Sequence, residues 1–115
     1  MSLTQDKYNT FATQLTELRS LVNANQLTVT ELSQRLVSLQ QFFATQIVPL
    51  ASDDSVEIKY RTETSKQLKL LEVDITFLRS ARQPATIQTR LNMISERLAT
   101  LTRYCEAVVR DEKQM

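Results

Sequence analysis

The sequence predicts an all-α fold in which four antiparallel helices run up, down, up and down as one bundle. Apolar residues recur every three or four positions in four stretches, which is the period of a helix face and not the alternation of a strand. The segments between these stretches are short, and short connections favour antiparallel neighbours. At 115 residues the chain is expected to form a single four-helix domain, residues 1–115, that needs no disulfide or metal.

The first two helices are predicted near residues 4–23 and 28–48. Their apolar seams are Tyr8, Phe11, Leu15, Leu18 and Val22, then Val29, Leu32, Leu36, Leu39, Phe43 and Ile47. Residues 23–25 between them, Asn-Ala-Asn, suit a helix exit, because asparagine tolerates the left-handed conformation that glycine usually supplies. Residues 28–31, Thr-Val-Thr-Glu, have the spacing of a capping box. Pro49 is expected to end the second helix, because proline has no amide hydrogen to donate.

The last two helices are longer and are predicted near residues 55–82 and 84–110. Their apolar seams are Leu68, Leu71, Ile75 and Leu78, then Ile87, Leu91, Ile94, Leu98, Leu101, Cys105 and Val108. Asp53, Asp54 and Ser55 are candidates to cap the third helix, and Pro84 suits the first turn of the fourth. In an alternative arrangement, these two long helices form a hairpin that pairs with a second copy of the chain.

The third helix is apolar on two sides, whereas an ordinary bundle helix has a single apolar stripe. A second apolar cluster lies nearly opposite the seam at 100° per residue: Leu70, Val73, Phe77 and Ala81. Either this helix is central and buried between two layers, or the four residues form an exposed patch for a partner or a second copy. The sequence leaves both interpretations open.

The turn between the third and fourth helices is basic. Residues 75–95 contain three charged side chains, all arginines: Arg79, Arg82 and Arg90. They form either a solvated face or a guide for an acidic partner, since a guanidinium binds a carboxylate through two parallel hydrogen bonds. Direct nucleic-acid binding is disfavoured, because acidic residues interrupt the basic stripe and only Tyr104 is close enough for stacking.

Phe42 and Cys105 each allow a structural and a functional interpretation. Phe42 lies off the seam of the second helix, so it either widens the core stripe or projects from the surface. The surrounding surface of the first two helices is rich in uncharged polar residues, and interfaces are depleted in Lys and Glu. Cys105 lies on the seam of the fourth helix, which predicts a buried structural thiol.

The composition argues against enzyme chemistry. The absence of histidine removes His-based catalysis and His-ligated metals, and the absence of glycine removes the glycine-rich loops that cradle phosphates. One cysteine cannot form an internal disulfide or a Cys-rich metal site. No regular spacing brings four carboxylates together. We therefore expect no catalytic residue, no cofactor and no metal site.

Charge and hydropathy give a weak indication of location. The net charge is +1, with −3 in residues 1–58 and +4 in residues 59–115, so bulk charge indicates no partner class. No apolar run is long enough to span a membrane, and the N-terminus lacks the regions of a signal peptide. These features predict a cytoplasmic protein with no membrane span.

Several features extend over the whole chain: its length, glutamine- and threonine-rich early helices such as residues 34–46, Pro49 before an acidic cap, and a long Leu-rich third helix. In these respects the chain resembles the cyanobacterial heterocyst frequency control protein PatD family. The resemblance implies a cytoplasmic regulator that contacts the tubulin-like cell-division protein FtsZ and thereby influences heterocyst differentiation. It implies no site residues, because no short motif matches position by position.

The sequence thus predicts a small non-enzymatic helical regulator or adaptor that acts by binding another protein. Its candidate surface has four apolar and three basic residues: Leu70, Val73, Phe77, Ala81, Arg79, Arg82 and Arg90. The apolar residues would supply contact area and the arginines would orient the partner. The alternatives are a structural homodimer, which would bury the same apolar residues against a copy, and a nucleic-acid accessory protein with salt-sensitive binding.

Overall fold

The computed structural model describes residues 2–50 and 52–113, which contain four α-helices and no strand. The helices, named α1 to α4 in chain order, span Leu3–Asn23, Val29–Phe42, Ser55–Ser80 and Pro84–Lys113. They form an elongated bundle of 49 × 21 × 19 Å. The all-α fold class and the order of two shorter helices before two longer ones are confirmed.

Contacts between side chains show that neighbouring helices are antiparallel. Gln5 near the start of α1 donates to the Val109 carbonyl near the end of α4, and Arg19 near the end of α1 donates to Ser95. The corresponding pairs are Tyr60–Tyr104 and Phe77–Arg90 between α3 and α4, and Gln40–Glu72 and Ser33–Arg79 between α2 and α3. The chain therefore runs up, down, up and down, as short connections predict.

One apolar core contains residues from all four helices. Every residue of the four predicted seams is buried, except three that are partly buried and pack against the core: Val29, Ile87 and Leu91. Because α1 and α2 fill the same core as α3 and α4, the two long helices do not form an independent hairpin. In this four-membered ring each helix has two main neighbours, so each retains a face toward solvent.

Side-chain caps define the helix boundaries that the sequence predicts. The Thr28 hydroxyl accepts from the Glu31 amide, and the Glu31 carboxylate accepts from the Thr28 amide. Asn25 takes a φ of 54°, the left-handed conformation expected at the preceding helix exit. The Asp54 carboxylate accepts from the Val56 amide at the start of α3. A second capping box, between Ser2 and Gln5, begins α1 and was not predicted.

The end of the second helix differs from the prediction of a continuous helix over residues 28–48. The α-helix ends at Phe42 and continues as a π-helical segment, Phe43–Ile47, and a 3-10 turn, Val48–Leu50. The physical reason is Pro49, whose ring crowds the carbonyl four residues earlier and which cannot donate to it. Winding therefore changes before the proline and continues one residue beyond it, so the prediction that Pro49 simply stops the helix is wrong.

Candidate protein-binding surface

Three large apolar side chains project from α3 on the side away from the core. Leu70, Val73 and Phe77 are 43%, 47% and 50% exposed, whereas Leu71 is fully buried. The interpretation in which both apolar faces of α3 lie inside the protein is wrong. The reason is that the main neighbours of α3 are α2 and α4, and neither helix covers its outer face. Of the two alternatives, the exposed patch is the geometry that the structure adopts.

Ala81 does not continue this patch. The helix ends at Ser80, two residues before the predicted boundary, and Ala81 has an extended backbone with φ −70° and ψ 137°. Its amide donates to the Leu78 carbonyl and so closes the last turn. Ala81 therefore lies outside the helix. The prediction that it shares one helix face with Phe77 is wrong.

Met93 extends the exposed apolar surface from α3 onto α4. Its side chain is 37% exposed. Met93 lies off the α4 seam, immediately before the buried Ile94. This off-seam position is the sequence feature that could have identified Met93 as an exposed apolar residue. We name the exposed apolar set the outer patch, defined as Leu70, Val73 and Phe77 of α3 with Met93 of α4.

Arg90 connects the two helices of the outer patch. Its guanidinium carbon lies 4.5 Å from the centroid of the Phe77 ring, within the range of a cation–π contact. Its Nη1 atom donates to the Met93 sulfur at 3.7 Å. The cation is therefore held between two members of the patch, although it is thirteen positions from Phe77 along the chain.

The three arginines of the predicted basic turn do not converge. Arg79 reaches toward α2, where its Nη2 donates to the Ser33 hydroxyl at 2.7 Å. Arg82 is exposed in the connection after α3. Arg90 alone contacts the outer patch. The prediction of one common basic guide is corrected accordingly: the arginines point to different neighbours because they lie on different faces and helices.

A groove of about 450 Å³ adjoins the outer patch between α3 and α4. It is lined by Gln67 of α3 and by six residues of α4: Thr89, Asn92, Met93, Glu96, Arg97 and Thr100. Arg97 is already committed to the fold, since it pairs with the buried Asp74 carboxylate and donates to the Gln67 side-chain oxygen. The groove therefore places amide and hydroxyl groups and the exposed Glu96 carboxylate beside the outer patch, and its arginine is already paired with Asp74.

Comparison with known protein families now adds an assignment. Residues 7–101 match the model of the CRR41 C-terminal domain. The chain belongs to the CRR41 C-terminal domain family. In this family member the matched segment extends from α1 into α4, and it includes the complete outer patch and Arg90. No curated protein and no solved structure matches the chain. The resemblance to PatD stays a prediction.

Phe42 widens the core of this CRR41 C-terminal domain. Its ring stacks on Phe11 with 5.9 Å between centroids, and it is partly buried against the core cluster. The interpretation in which Phe42 stands free on the surface is wrong. Phe42 also lines a groove of about 680 Å³ between α1 and α2, whose lining residues are mostly uncharged. Further lining residues are Gln14, Glu17, Leu18, Arg35, Ser38, Leu39, Gln41, Thr45 and Gln46.

Cys105 is the buried thiol that the sequence predicts. Burial raises the pKa of this thiol to about 12, with Glu106 adding to the shift, so the reactive thiolate is scarce near neutral pH. Among the described residues, no three His, Cys, Asp or Glu side chains are grouped so as to hold a metal ion. The helices in that part of the chain also lack the combined length and apolar character needed to traverse a bilayer.

Proposed function

We propose that this protein is a small non-enzymatic regulator or adaptor that binds another protein through the outer patch. The observation that carries the proposal is the exposure of Leu70, Val73 and Phe77 on a helix whose opposite face is fully packed. These residues follow one another at steps of three and four, so they form a continuous stripe on one helix face. Contiguous exposed apolar surface usually marks an interaction site.

The energetics favour covering this stripe. Complete burial of a Leu, Val or Phe side chain contributes ~1.5–3 kcal/mol, and roughly half of that gain is still unrealised at these exposures. Met93 adds a flexible thioether that adapts to the shape of a partner. Phe77 and Arg90 are in contact, and aromatic residues and arginine are enriched in protein interfaces.

The resemblance to PatD supplies one specific version of this proposal. In that version the protein acts in the cytoplasm of a cyanobacterium, FtsZ is the partner, and binding affects division during heterocyst differentiation. The homodimer is a different outcome of the same chemistry, in which a second copy covers the patch. Binding to nucleic acid would require a basic stripe, and the divergence of Arg79, Arg82 and Arg90 gives it no support.

The test compares two Asp substitutions at equally exposed positions. Phe77→Asp changes the outer patch, whereas Val37→Asp changes a residue of α2 that is also 50% exposed. Tagged wild type and both variants are used to capture purified FtsZ and proteins from a cyanobacterial lysate. Circular dichroism verifies that all three proteins fold.

We expect a partner that wild type and Val37→Asp retain and Phe77→Asp loses. Light scattering on the same samples identifies self-association, which would give about twice the 13.2 kDa chain mass. Equal capture by all three proteins would show that the outer patch is not the binding surface. A dimer that only Phe77→Asp dissociates would replace the adaptor with the homodimer.

A further inference from the structure

We propose that the outer patch binds an acidic amphipathic helix of the partner, and that Arg90 receives one of its carboxylates. This inference rests on the proposed function and specifies the chemistry of the partner. Three observations carry it: the incomplete hydrogen bonding of Arg90, the charge around the patch, and the spacing of the patch residues. Each points to the same occupant.

The Arg90 side chain is held in position, but most of its hydrogen-bond donors have no strong acceptor among the described residues. A guanidinium has five N–H donors. The hydrogen bond that Arg90 makes within the described residues goes to the Met93 sulfur, and a thioether is a weak acceptor. None of the ion pairs in the described part of the chain includes Arg90. By contrast, Arg97 on the same helix already has a carboxylate and an amide oxygen.

Packing holds the Arg90 cation in place before any partner arrives. The guanidinium carbon lies over the Phe77 ring, 4.5 Å from the ring centroid. A planar guanidinium fixed in this way loses little further freedom when it forms two parallel bonds to a carboxylate. A lysine at this position would supply charge but not this two-pronged geometry.

The charge around the patch selects an acidic partner over a second copy. Residues 75–95 contain arginines and no acid, and Lys66 and Lys69 are exposed on the preceding turns of α3. The acids nearest the patch already have partners: Glu63 with Lys66, Asp74 with Arg97 and Glu72 with Gln40 on α3, and Glu96 of α4 with Arg19. A symmetric dimer through this patch would bring like cations together, which costs free energy.

The spacing of the patch fits a helical segment of about two turns. Leu70 and Phe77 are seven residues apart, which is ~10 Å along a helix axis. Met93 lies across the α3–α4 groove, so apolar contacts are available on both sides of a bound helix. Helix-in-groove recognition uses anchors at i, i+3 or i+4, and i+7. The expected ligand therefore has apolar residues at those positions and Asp or Glu beside them.

Two probe peptides test the role of the carboxylate. Both peptides have sixteen residues, with leucine at i, i+3 and i+7. Four positions beside the leucines are Glu in one peptide and Gln in the other, and all remaining positions are alanine. Each is titrated into the ¹⁵N-labelled full-length protein up to millimolar concentration. The readouts are the Kd and the Nε–H resonance of Arg90, which detects a bound carboxylate even when binding is weak.

We expect the Glu peptide to bind wild type about tenfold more tightly than the Gln peptide, and to shift the Arg90 resonance. Arg90→Gln should remove this preference, and Arg90→Lys should restore only part of it. Val37→Asp should bind both peptides as wild type does. Salt should weaken binding of the Glu peptide more than binding of the Gln peptide.

The variants separate failure of this inference from failure of the proposed function. If Phe77→Asp loses both peptides while wild type binds them equally, the patch binds a helix but Arg90 does not select a carboxylate. If neither peptide binds wild type, or Phe77→Asp binds as wild type does, both proposals are overturned. Two further results would overturn the proposal of an acidic helix. One is self-association through the outer patch, and the other is tight binding of a single-stranded oligonucleotide that shifts the Arg90 resonance.

Discussion

The Tyr8 hydroxyl donates a 2.7 Å hydrogen bond to the Glu57 carboxylate and so joins the first helix to the first turn of the third. Both side chains are buried. Arg61, one turn later on α3, also donates to the same carboxylate through its Nε. Burial raises the pKa of the Tyr8 phenol, and the hydrogen bond to Glu57 raises it further. A buried carboxylate is tolerated here because two donors replace its hydration.

Tyr8→Phe should therefore destabilise the protein although it keeps the ring. The expected loss is about 1–3 kcal/mol, because the Glu57 carboxylate would be left buried with one donor fewer. Urea unfolding followed by circular dichroism measures it. Tyr60→Phe is the matched control, since the Tyr60 ring packs against Tyr104 and is only partly buried. Equal losses for the two variants would contradict the role assigned to the Tyr8 hydroxyl.

Asp74→Ala should cost much more stability than removal of a surface ion pair. The Asp74 side chain is almost fully buried and pairs with Arg97 of α4, so the substitution would leave Arg97 without its carboxylate. Because Arg97 retains partial access to solvent, we expect about 2–3 kcal/mol, below the 3–5 of a fully buried pair. Glu63→Ala, which breaks the exposed pair with Lys66, should cost less than ~1 kcal/mol. Comparable losses in thermal or urea unfolding would refute this distinction.

Leu70 and Leu71 provide a test of the two faces of α3 at adjacent positions. Leu71→Ala should destabilise the protein by about 2–5 kcal/mol, because its side chain is fully buried and the substitution leaves a cavity. Leu70→Ala should cost less than ~1 kcal/mol, since Leu70 is 43% exposed in the free protein. The effect on partner binding should be reversed. Leu70→Ala should weaken binding more than Leu71→Ala does, under conditions in which Leu71→Ala stays folded. A large loss of stability in Leu70→Ala would mean that the outer face of α3 is covered.

The Cys105 thiol should react slowly in the folded protein and quickly in urea. Its pKa is about 12 when folded, against about 8.5 for an exposed thiol, so at pH 8 the folded protein has very little thiolate. The reaction with a chromogenic disulfide measures this difference. Because the unfolded chain loses the thiol proton first, this group's contribution to stability is complete below pH ~8.5 and falls as the pH rises toward 12. Rapid labelling under native conditions would contradict a buried thiol.

The helices and the core were predictable because both follow from local periodicity. A residue at the step of a helix seam, such as Leu71 or Leu98, is buried whichever neighbour covers it. The cap at Thr28 was equally predictable, and Asp54 was among three candidates for the next cap, because a capping bond joins residues three or fewer positions apart. The change of winding before Pro49 was not predictable, since the sequence gives the proline but not how the preceding turns adapt to it.

The candidate site was predictable only in part. The sequence placed Leu70, Val73 and Phe77 on one helix face, but exposure depends on which helices become the neighbours of α3. Met93 and Arg90 join the patch because antiparallel packing brings α4 beside α3, and no local pattern encodes that distance. The sequence by itself therefore determined which residues form helices and which seam faces the core, because those properties depend on near neighbours. Tertiary structure alone decided that the second apolar face of α3 meets solvent and that one arginine lies across it, because both depend on packing between distant segments.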